Sequence, residues 1–527
     1  MTAVFGMPRR VVWSYALLLA CGIAMIVLYS FFAKLHVPTT PSEAAGMMQR
    51  FGTIAALLFL CFIGAVLALR KIIRVENVAS RFTGQEEMRA LPRPRTLGRS
   101  MTLIIGFAIL FRLILLPQTP FLSNDIYRYL WDAEVLQRGI NPYLYPPEAN
   151  ELARMHDLAI YEQMSHKNVR TVYPPLLQGL FWLGAKLAAV FALNPIHALK
   201  ALWVLVDIAL IGVLAKLLTA YAIDARWAIL YAWHPLAVIE IASSGHTDGV
   251  GVFCLLAALL MLKRERHIAS AVWLAFGFLV KFVTALLVPF VFLFSLKKTT
   301  WQLHWRFALA FFAVLALTYL PFLSAGENLY AGLSVYSAKW RFNDALFSLI
   351  YAPLEKLLPD WLVIKLMIPP SWEMLPETLV TRRIDLALLL AKGAMAIIFA
   401  AIYLCSIRNT LQQTHEESAQ YWPQLALSLL AAFFLLSPTF QPWYILWLLP
   451  LLGVVCGMKK EWRESRLRCQ AYLWGLSATV FLSYWVLHDY WSTGIWQEQT
   501  WVKWVEYGVP CLAFMLPRRY LQRNDCR

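Results

Sequence analysis

The chain has 527 residues, of which 60% are hydrophobic, 14% aromatic and only 15% charged, against about 45–50% apolar and about 25% charged in a soluble globular domain. That balance excludes a water-soluble fold and points to a chain solvated largely by lipid, with 22 Trp and 22 Tyr to sit at its two water–lipid boundaries. The net charge of +16 does not imply nucleic acid, because Lys and Arg gather in short clusters between apolar runs, the pattern of membrane topology.

Read in chain order, Arg9 and Arg10 precede an apolar run over 11–33. The run is too long for the core of a cleaved signal and lacks a small-residue cleavage pattern, so it is expected to be a retained first span. A second span over 51–70 returns to Arg70, Lys71 and Arg74, and 71–99 reads as a basic cytoplasmic connector. A third span over 101–117 leads out to 118–175, the longest polar stretch in the molecule. Lys263–Arg264–Glu265–Arg266–His267 and Lys297–Lys298 through Arg306 then belong inside. Working back from them through spans 249–262, 227–243 and 198–220 leaves the apolar stretch 176–193 between two outside ends. It is therefore expected to lie in the interface, although its hydropathy suits a span.

Two short spans over 268–280 and 282–296 place Lys281 at an outer bend, and 306–323 leads to a second exterior region over 324–382. Spans 383–407, 422–436, 443–457, 470–488 and 501–516 complete the chain, with Arg408, Lys459 to Arg468 and Arg518–Arg519 inside. The expected fold is an all-α polytopic membrane protein with about fourteen crossings, both termini cytoplasmic, and interfacial helices in the first large exterior loop. It divides into two N-terminal spans with their connector (1–100), a module with the large exterior loop (101–323), the second exterior region (324–382) and the C-terminal spans (383–527). The eight cysteines avoid the polar stretch 118–172 and form no CxxC pair, which argues against a disulfide framework or a zinc site.

The chemistry-bearing residues gather at the outer bends. Ser123 and Asn124 are placed to cap a helix starting at Asp125, on which Asp125, Arg128 and Asp132 share one face. The group reads either as a cap with a salt-bridge ladder or as a general base, Asp125, whose pKa rises at a half-dehydrated surface. Tyr173–Pro174–Pro175 closes that loop, and Trp233–His234–Pro235, Glu240 and Ser244–Gly245–His246–Thr247–Asp248–Gly249 form a second bend. Ser437–Pro438 with Trp443–Tyr444 forms a later one. Glu240, an acid within an apolar run, marks either function or pairing with a neighbouring span. His246 and Asp248 are two metal ligands in a glycine-flanked turn, too few to imply an ion. Lys281 reads either as a phosphate partner or as a lysine snorkelling to headgroups, and Arg112 carries the same two readings. Arg341–Phe342–Asn343–Asp344 adds polar groups in the second exterior region.

The stretch Ser123–Asn124–Asp125–Ile126–Tyr127–Arg128–Tyr129, with Gly139–Ile140–Asn141–Pro142–Tyr143, resembles the first exterior loop of bacterial polyprenol-phosphate-mannose-dependent α-mannosyltransferases. These belong to the GT-C class of glycosyltransferases. The resemblance runs in order through Tyr173–Pro174–Pro175, Trp233–His234–Pro235, Gly245–His246–Thr247–Asp248, Lys281 with Pro289, and Ser437–Pro438 with Trp443–Tyr444, covering about 101 to 457. Thr247 departs from the Asn common in relatives. The resemblance implies a GT-C fold with interfacial helices in the first exterior loop and Asp125 as base.

The reaction so implied moves a hexose, mannose by resemblance, from a polyprenyl-phosphate sugar to an extracytoplasmic glycan or glycolipid acceptor, with inversion. Asn124, Asp132, Glu240, His246 and Asp248 are the further substrate-site candidates. Lys281, Arg128 or Arg341 would supply positive charge to the phosphate, and Tyr127, Tyr173 and Trp443 would pack on the sugar. A monophosphate demands less neutralisation than a diphosphate, so metal-free catalysis is expected with no cofactor, and the lipid-linked sugar is a substrate. The rival readings are a transferase for another lipid-linked sugar, a lipid-linked sugar transporter or flippase, and a noncatalytic lipid-binding relative. A transporter should carry ionisable groups along a mid-membrane path or paired broken helices.

Overall fold

A computed structural model describes residues 9–82, 94–298, 301–369, 376–412, 415–458 and 464–515. The regular structure of those residues is all helical, joined by turns and loops, and their β-type contact is one isolated bridge between Phe342 and Thr439. Among the described residues six helical stretches are long and apolar enough to cross a membrane: Val11–Phe32, Pro41–Asn77, Gly98–Leu115, Pro195–Ala220, His304–Lys339 and Pro376–Gln412. Their outward faces keep large apolar side chains exposed, Leu309 and Phe312 on one and Ile397 on another, as lipid contact requires. Arg89, Arg93, Lys459, Lys460, Arg463, Arg518 and Arg519, expected to mark the inside, lie outside the described residues, as do 1–8 and 516–527.

Helices α1 (Arg9–Phe32), α2 (Pro41–Phe82) and α3 (Pro94–Leu115) pack into one core with the helices that follow. The expected span 51–70 is thus the middle of a much longer helix, and the connector's first part, 71–82, continues it because no Pro or Gly interrupts the run. α4 (Asp125–Gln137) begins the first exterior stretch, and α5 (Pro175–Val190) ends it. At 16 residues α5 is shorter than the roughly 20 needed to cross the hydrocarbon. α6 (Pro195–Ala220) starts at Asn194, whose side chain accepts from the Ile196 N–H at 2.9 Å, with Pro195 at the first helical position.

The stretch expected as a continuous span over 227–243 is not one helix. It is four short pieces: Ala225–Ala228, Ile229–Ala232, Pro235–Val238 and a π-turn at Ile239–Ser243. Pro235 has no N–H to give the ladder, so the helix breaks at His234. Nearly all of the segment is buried in protein, so its apolar composition reflects packing rather than lipid exposure. Trp233–His234–Pro235 also does not join the outer bend. His234 packs edge-on against Phe59 and Phe62 and bonds Ser477, while Trp233 Nε1 donates to Ile104 O, halfway along α3.

The chain then runs through α7 (Asp248–Lys263), almost wholly buried, and α8 (His267–Phe278) to the bend at Lys281. The return segment expected over 282–296 begins as a 3-10 turn, Phe282–Leu287, before Val288–Lys298 becomes α-helical. Next come α9 (Trp301–Tyr319), α10 (Ala331–Lys339) and α11 (Pro376–Gln412). The stretch expected as a second exterior region, 324–382, therefore carries helices of its own. The C-terminal elements are Pro442–Trp447, Leu449–Gly457, Glu464–Thr479 and Thr500–Cys511, among others.

Arg112 neither snorkels nor faces a substrate site. Fully buried, its Nε donates to Asp207 Oδ2 at 2.5 Å and its Nη1 to the Ala108 and Ala232 carbonyls, while Tyr231 Oη donates to Asp207 Oδ1. This pair ties α3, α6 and the broken segment together beneath the site. Removing one partner leaves a buried charge uncompensated, which costs about 3–5 kcal/mol, whereas replacing both with apolar side chains is often neutral. Arg112→Leu should therefore lower stability to denaturant in detergent by roughly that amount, and adding Asp207→Leu should restore most of it. A single-variant loss below about 1 kcal/mol would remove the pair from the fold's main supports.

Candidate active site

Asp125 opens α4, where the Ser123 hydroxyl accepts from its N–H at 3.2 Å. Asn124 does not cap the helix with its side chain. Its amide reaches away to Ser165 Oγ at 2.5 Å and Gln163 O, fastening the loop around 163–166 beside Asp125. The expected three-residue ladder divides. Arg128 pairs with Asp132 at 3.0 Å and donates to Val169 O, and Asp132 also accepts from Thr171 and Gln178. Asp125 stands apart and faces His246, with 3.8 Å between Oδ2 and Nε2.

The turn bearing His246 is built by the chain immediately before it. The π-turn Ile239–Ser243 carries Glu240, and the His246 N–H returns to Glu240 O at 2.9 Å. Gly245 makes the reversal with φ +78, a conformation that favours glycine, and a Cβ there would lie 2.9 Å from the tip of the Ile126 side chain. Glu240, fully buried, accepts from His246 Nδ1 at 2.9 Å and from Tyr484 Oη at 2.8 Å. The Trp443 ring stacks on the imidazole at 3.7 Å.

Asp248, in the first turn of α7, receives Lys281 Nζ and Trp447 Nε1 on one oxygen, each at 2.7 Å. Lys281 also lies 3.5 Å over the Tyr444 ring, and Tyr444 shares a hydroxyl–hydroxyl bond with Tyr336 of α10. Trp447 reaches Asp248 across Gly251, where a Cβ would lie 2.4 Å from the indole. Among the described residues no three His, Cys, Asp or Glu side chains converge with metal-binding geometry.

The electrostatics follow from this walling-in. Asp125 remains 36% exposed but sits in a crevice. Loss of bulk water there raises its carboxyl above the usual range, an effect Asp248 adds to and His246, His166 and Lys281 oppose. Burial lowers the Lys281 ammonium from its ordinary value, against the pull of Asp248 and Asp125.

The structure thus brings Asp125, Glu240, His246, Asp248, Lys281 and Trp443 together. Arg128 and Asp132 hold the loop's shape one turn away, and Tyr173 packs edge-on against Tyr129 at 4.9 Å with its carbonyl taken by Tyr143. Tyr127 is buried in the main core. Arg341 is not turned to Asp125. Asp344, Ser348 and the face of Tyr351 at 3.6 Å hold it in a separate cluster. Sequence reasoning did not select Tyr336, Trp340, Tyr484, Trp447 or His166 for the site. Trp340 packs edge-on with His166 at 4.6 Å, bringing the end of α10 against the loop around 163–166. The one usable signal was Tyr444, adjacent to Trp443.

Residues 17–297, more than half of the chain, match the family model described as Alpha-(1->6)-mannopyranosyltransferase, N-terminal domain. The chain is also similar to the alpha-(1->6)-mannopyranosyltransferase A of Mycobacterium tuberculosis strain H37Rv, 25% identical over 217 residues that cover 40% of each chain. The protein of the same name from Corynebacterium glutamicum is 26% identical over 180 residues, 33% of this chain and 34% of that one. The matched segments therefore span less than half of either relative.

The contact between α10 and the loop before α5 is tight at Gly332, where a Cβ would lie 2.3 Å from Arg170 O and 2.5 Å from Thr171 O. Forcing a methyl into such a site costs about 1–3 kcal/mol. Gly332→Ala should lower the thermal midpoint of the detergent-solubilised protein. Gly393→Ala, in open space within α11, should hold or raise it. Equal midpoints for the two variants would show that α10 does not bear on the first loop.

Proposed function

Because the chain belongs to the family described as Alpha-(1->6)-mannopyranosyltransferase, N-terminal domain, we propose that it is a membrane α-mannosyltransferase. It takes mannose from a polyprenyl-phosphate donor and gives it to a hydroxyl of a glycan or glycolipid on the extracytoplasmic face. The observation that carries the site assignment is the convergence of Asp125, whose pKa is raised by burial, with the Asp248–Lys281 pair at one outer crevice.

In the proposed reaction Asp125 removes the acceptor proton as the oxygen attacks the anomeric carbon from the face opposite the phosphate. A β-linked donor then gives an α-linked product. The phosphate leaves with its electron pair and needs no acid. It needs a cation, and Lys281, paired with Asp248 in the same crevice as the base and lying over Tyr444, fits that part better than Arg341, which sits in a separate cluster. Trp443, Tyr444 and Tyr336 supply aromatic walls for a sugar.

A groove of about 660 Å³ runs between the end of α4, the start of α5 and the outer end of α9, lined by Leu136, Ile140, Leu176, Leu180 and Leu317. Its apolar lining beside Tyr173 supports an isoprenoid tail lying there. In this reading the chain crosses the membrane about fourteen times with both ends cytoplasmic. Residues 101–323 form the catalytic module, and 332–340 packs against its first loop.

Purified protein in nanodiscs, given radiolabelled polyprenyl-phosphate mannose and a short mannosyl acceptor, should form an α-mannoside. Asp125→Asn should lower the rate at least about 100-fold, and EDTA should leave it unchanged. Because burial raises the Asp125 carboxyl, the rate should fall off on acidification at a pH above the ordinary carboxylate range. Full transfer by Asp125→Asn would remove Asp125 as base, and transfer of a different lipid-linked sugar would remove mannose.

A further inference from the structure

His246 carries the least satisfied atom in the site. Its Nδ1 is 2.9 Å from Glu240, which Tyr484 holds from the other side. An acceptor-only carboxylate in that position holds the imidazole proton on Nδ1. Nε2 is buried, has no hydrogen-bond partner among the described residues, and points at Asp125 Oδ2 across 3.8 Å. The stacked Trp443 ring keeps the imidazole from turning away. The groups that bear on it are Asp125 from α4, Glu240 from the π-turn, Asp248 from the first turn of α7, and Lys281 through Asp248. His166 faces Asp125 from the loop beyond, and Lys200 packs behind Gly245.

We propose that His246 is the proton relay behind Asp125, with Glu240 as the group that poises it. This rests on the reading of Asp125 as the base. As the acceptor oxygen bonds to the anomeric carbon and the phosphate departs with the C–O electron pair, the hydroxyl proton passes to Asp125. It then moves from Oδ2 to His246 Nε2, and Asp125 returns to its carboxylate form. The imidazolium is stabilised by the Glu240 carboxylate on its opposite nitrogen. His246 releases the proton to the departing polyprenyl phosphate or to entering water, and the site is reset.

The test is the split between kcat and the donor KM for the full chain in nanodiscs, comparing wild type with His246→Gln and Glu240→Gln on the same donor and acceptor. His246→Gln should lower kcat about 100-fold, with the donor KM within about twofold. In Glu240→Gln the imidazole loses the carboxylate that fixes its Nδ1 proton, so kcat should fall about 10-fold with the donor KM within about twofold. An unchanged kcat in Glu240→Gln would overturn the relay. So would a His246→Gln enzyme that keeps its kcat, or one that only raises KM. If His246→Gln fails to fold, the near-isosteric Glu240→Gln carries the test alone. Asp125→Asn separates the two claims. A dead Asp125→Asn beside an active His246→Gln sinks the relay alone, and an active Asp125→Asn sinks the base with it.

Discussion

A charge placed in apolar surroundings must bring its partner with it, and the Asp248–Lys281 contact is where this chain meets that demand at its working end. The two residues sit on either side of the short helices α7 and α8, so their pairing holds a narrow hairpin against the outer bend. Trp447 adds its indole N–H from a distant part of the chain, and Gly251 leaves it room to arrive. Deeper down, Arg112 and Asp207 do the same for α3 and α6. Between these two pairs lies the broken segment that delivers Glu240 and His246.

The breaks in that segment are what deliver the site. A regular helix over 227–243 would satisfy its own backbone and present its side chains around a cylinder. Pro235 interrupts it, the π-turn carries Glu240 inward, and Gly245 at positive φ folds His246 back over Glu240. π-turns inside helices are frequent at functional sites because they re-aim side chains. The local backbone is tolerated because the stretch is enclosed by protein rather than by lipid.

Much of the outer crevice was readable from residues alone. Ser123–Asn124–Asp125 announces a helix start, and a buried acid, a Gly–His–Thr–Asp turn and a lone lysine at a short bend all stand out against an apolar background. Spacing went further than it should have for Asp125. A shared helical face brings Arg128 and Asp132 together, but which residue meets which is decided by Thr171, Gln178 and Val169, far along the chain. The aromatic partners were hidden for a simpler reason. Tyr336, Trp340, Tyr484 and Trp447 sit in runs where an aromatic ring reads as core or interface anchor. Their polar atoms acquire meaning only when tertiary packing sets them against Glu240, Tyr444 and Asp248. Continuous hydropathy likewise hid the division of 227–243, since buried and lipid-facing apolar residues look alike in sequence.

The pairing of Lys281 also bears on how an anion would enter. A cation held by one carboxylate is committed, and an incoming phosphate must compete with Asp248 for it. The competition is less one-sided than it looks. Asp248 keeps the Trp447 N–H when Lys281 moves, so the carboxylate is not left without a partner, and unpaired buried charge is what makes such exchanges prohibitive. Burial has already lowered the ammonium's hold on its proton, and a second anion beside it strengthens that hold again. In the proposed reaction Lys281 is therefore at its weakest when the crevice is empty and gains its full charge stabilisation when the donor phosphate arrives. A group arranged in that way favours the loaded site and the departing phosphate over the resting enzyme, which is the direction a transferase needs.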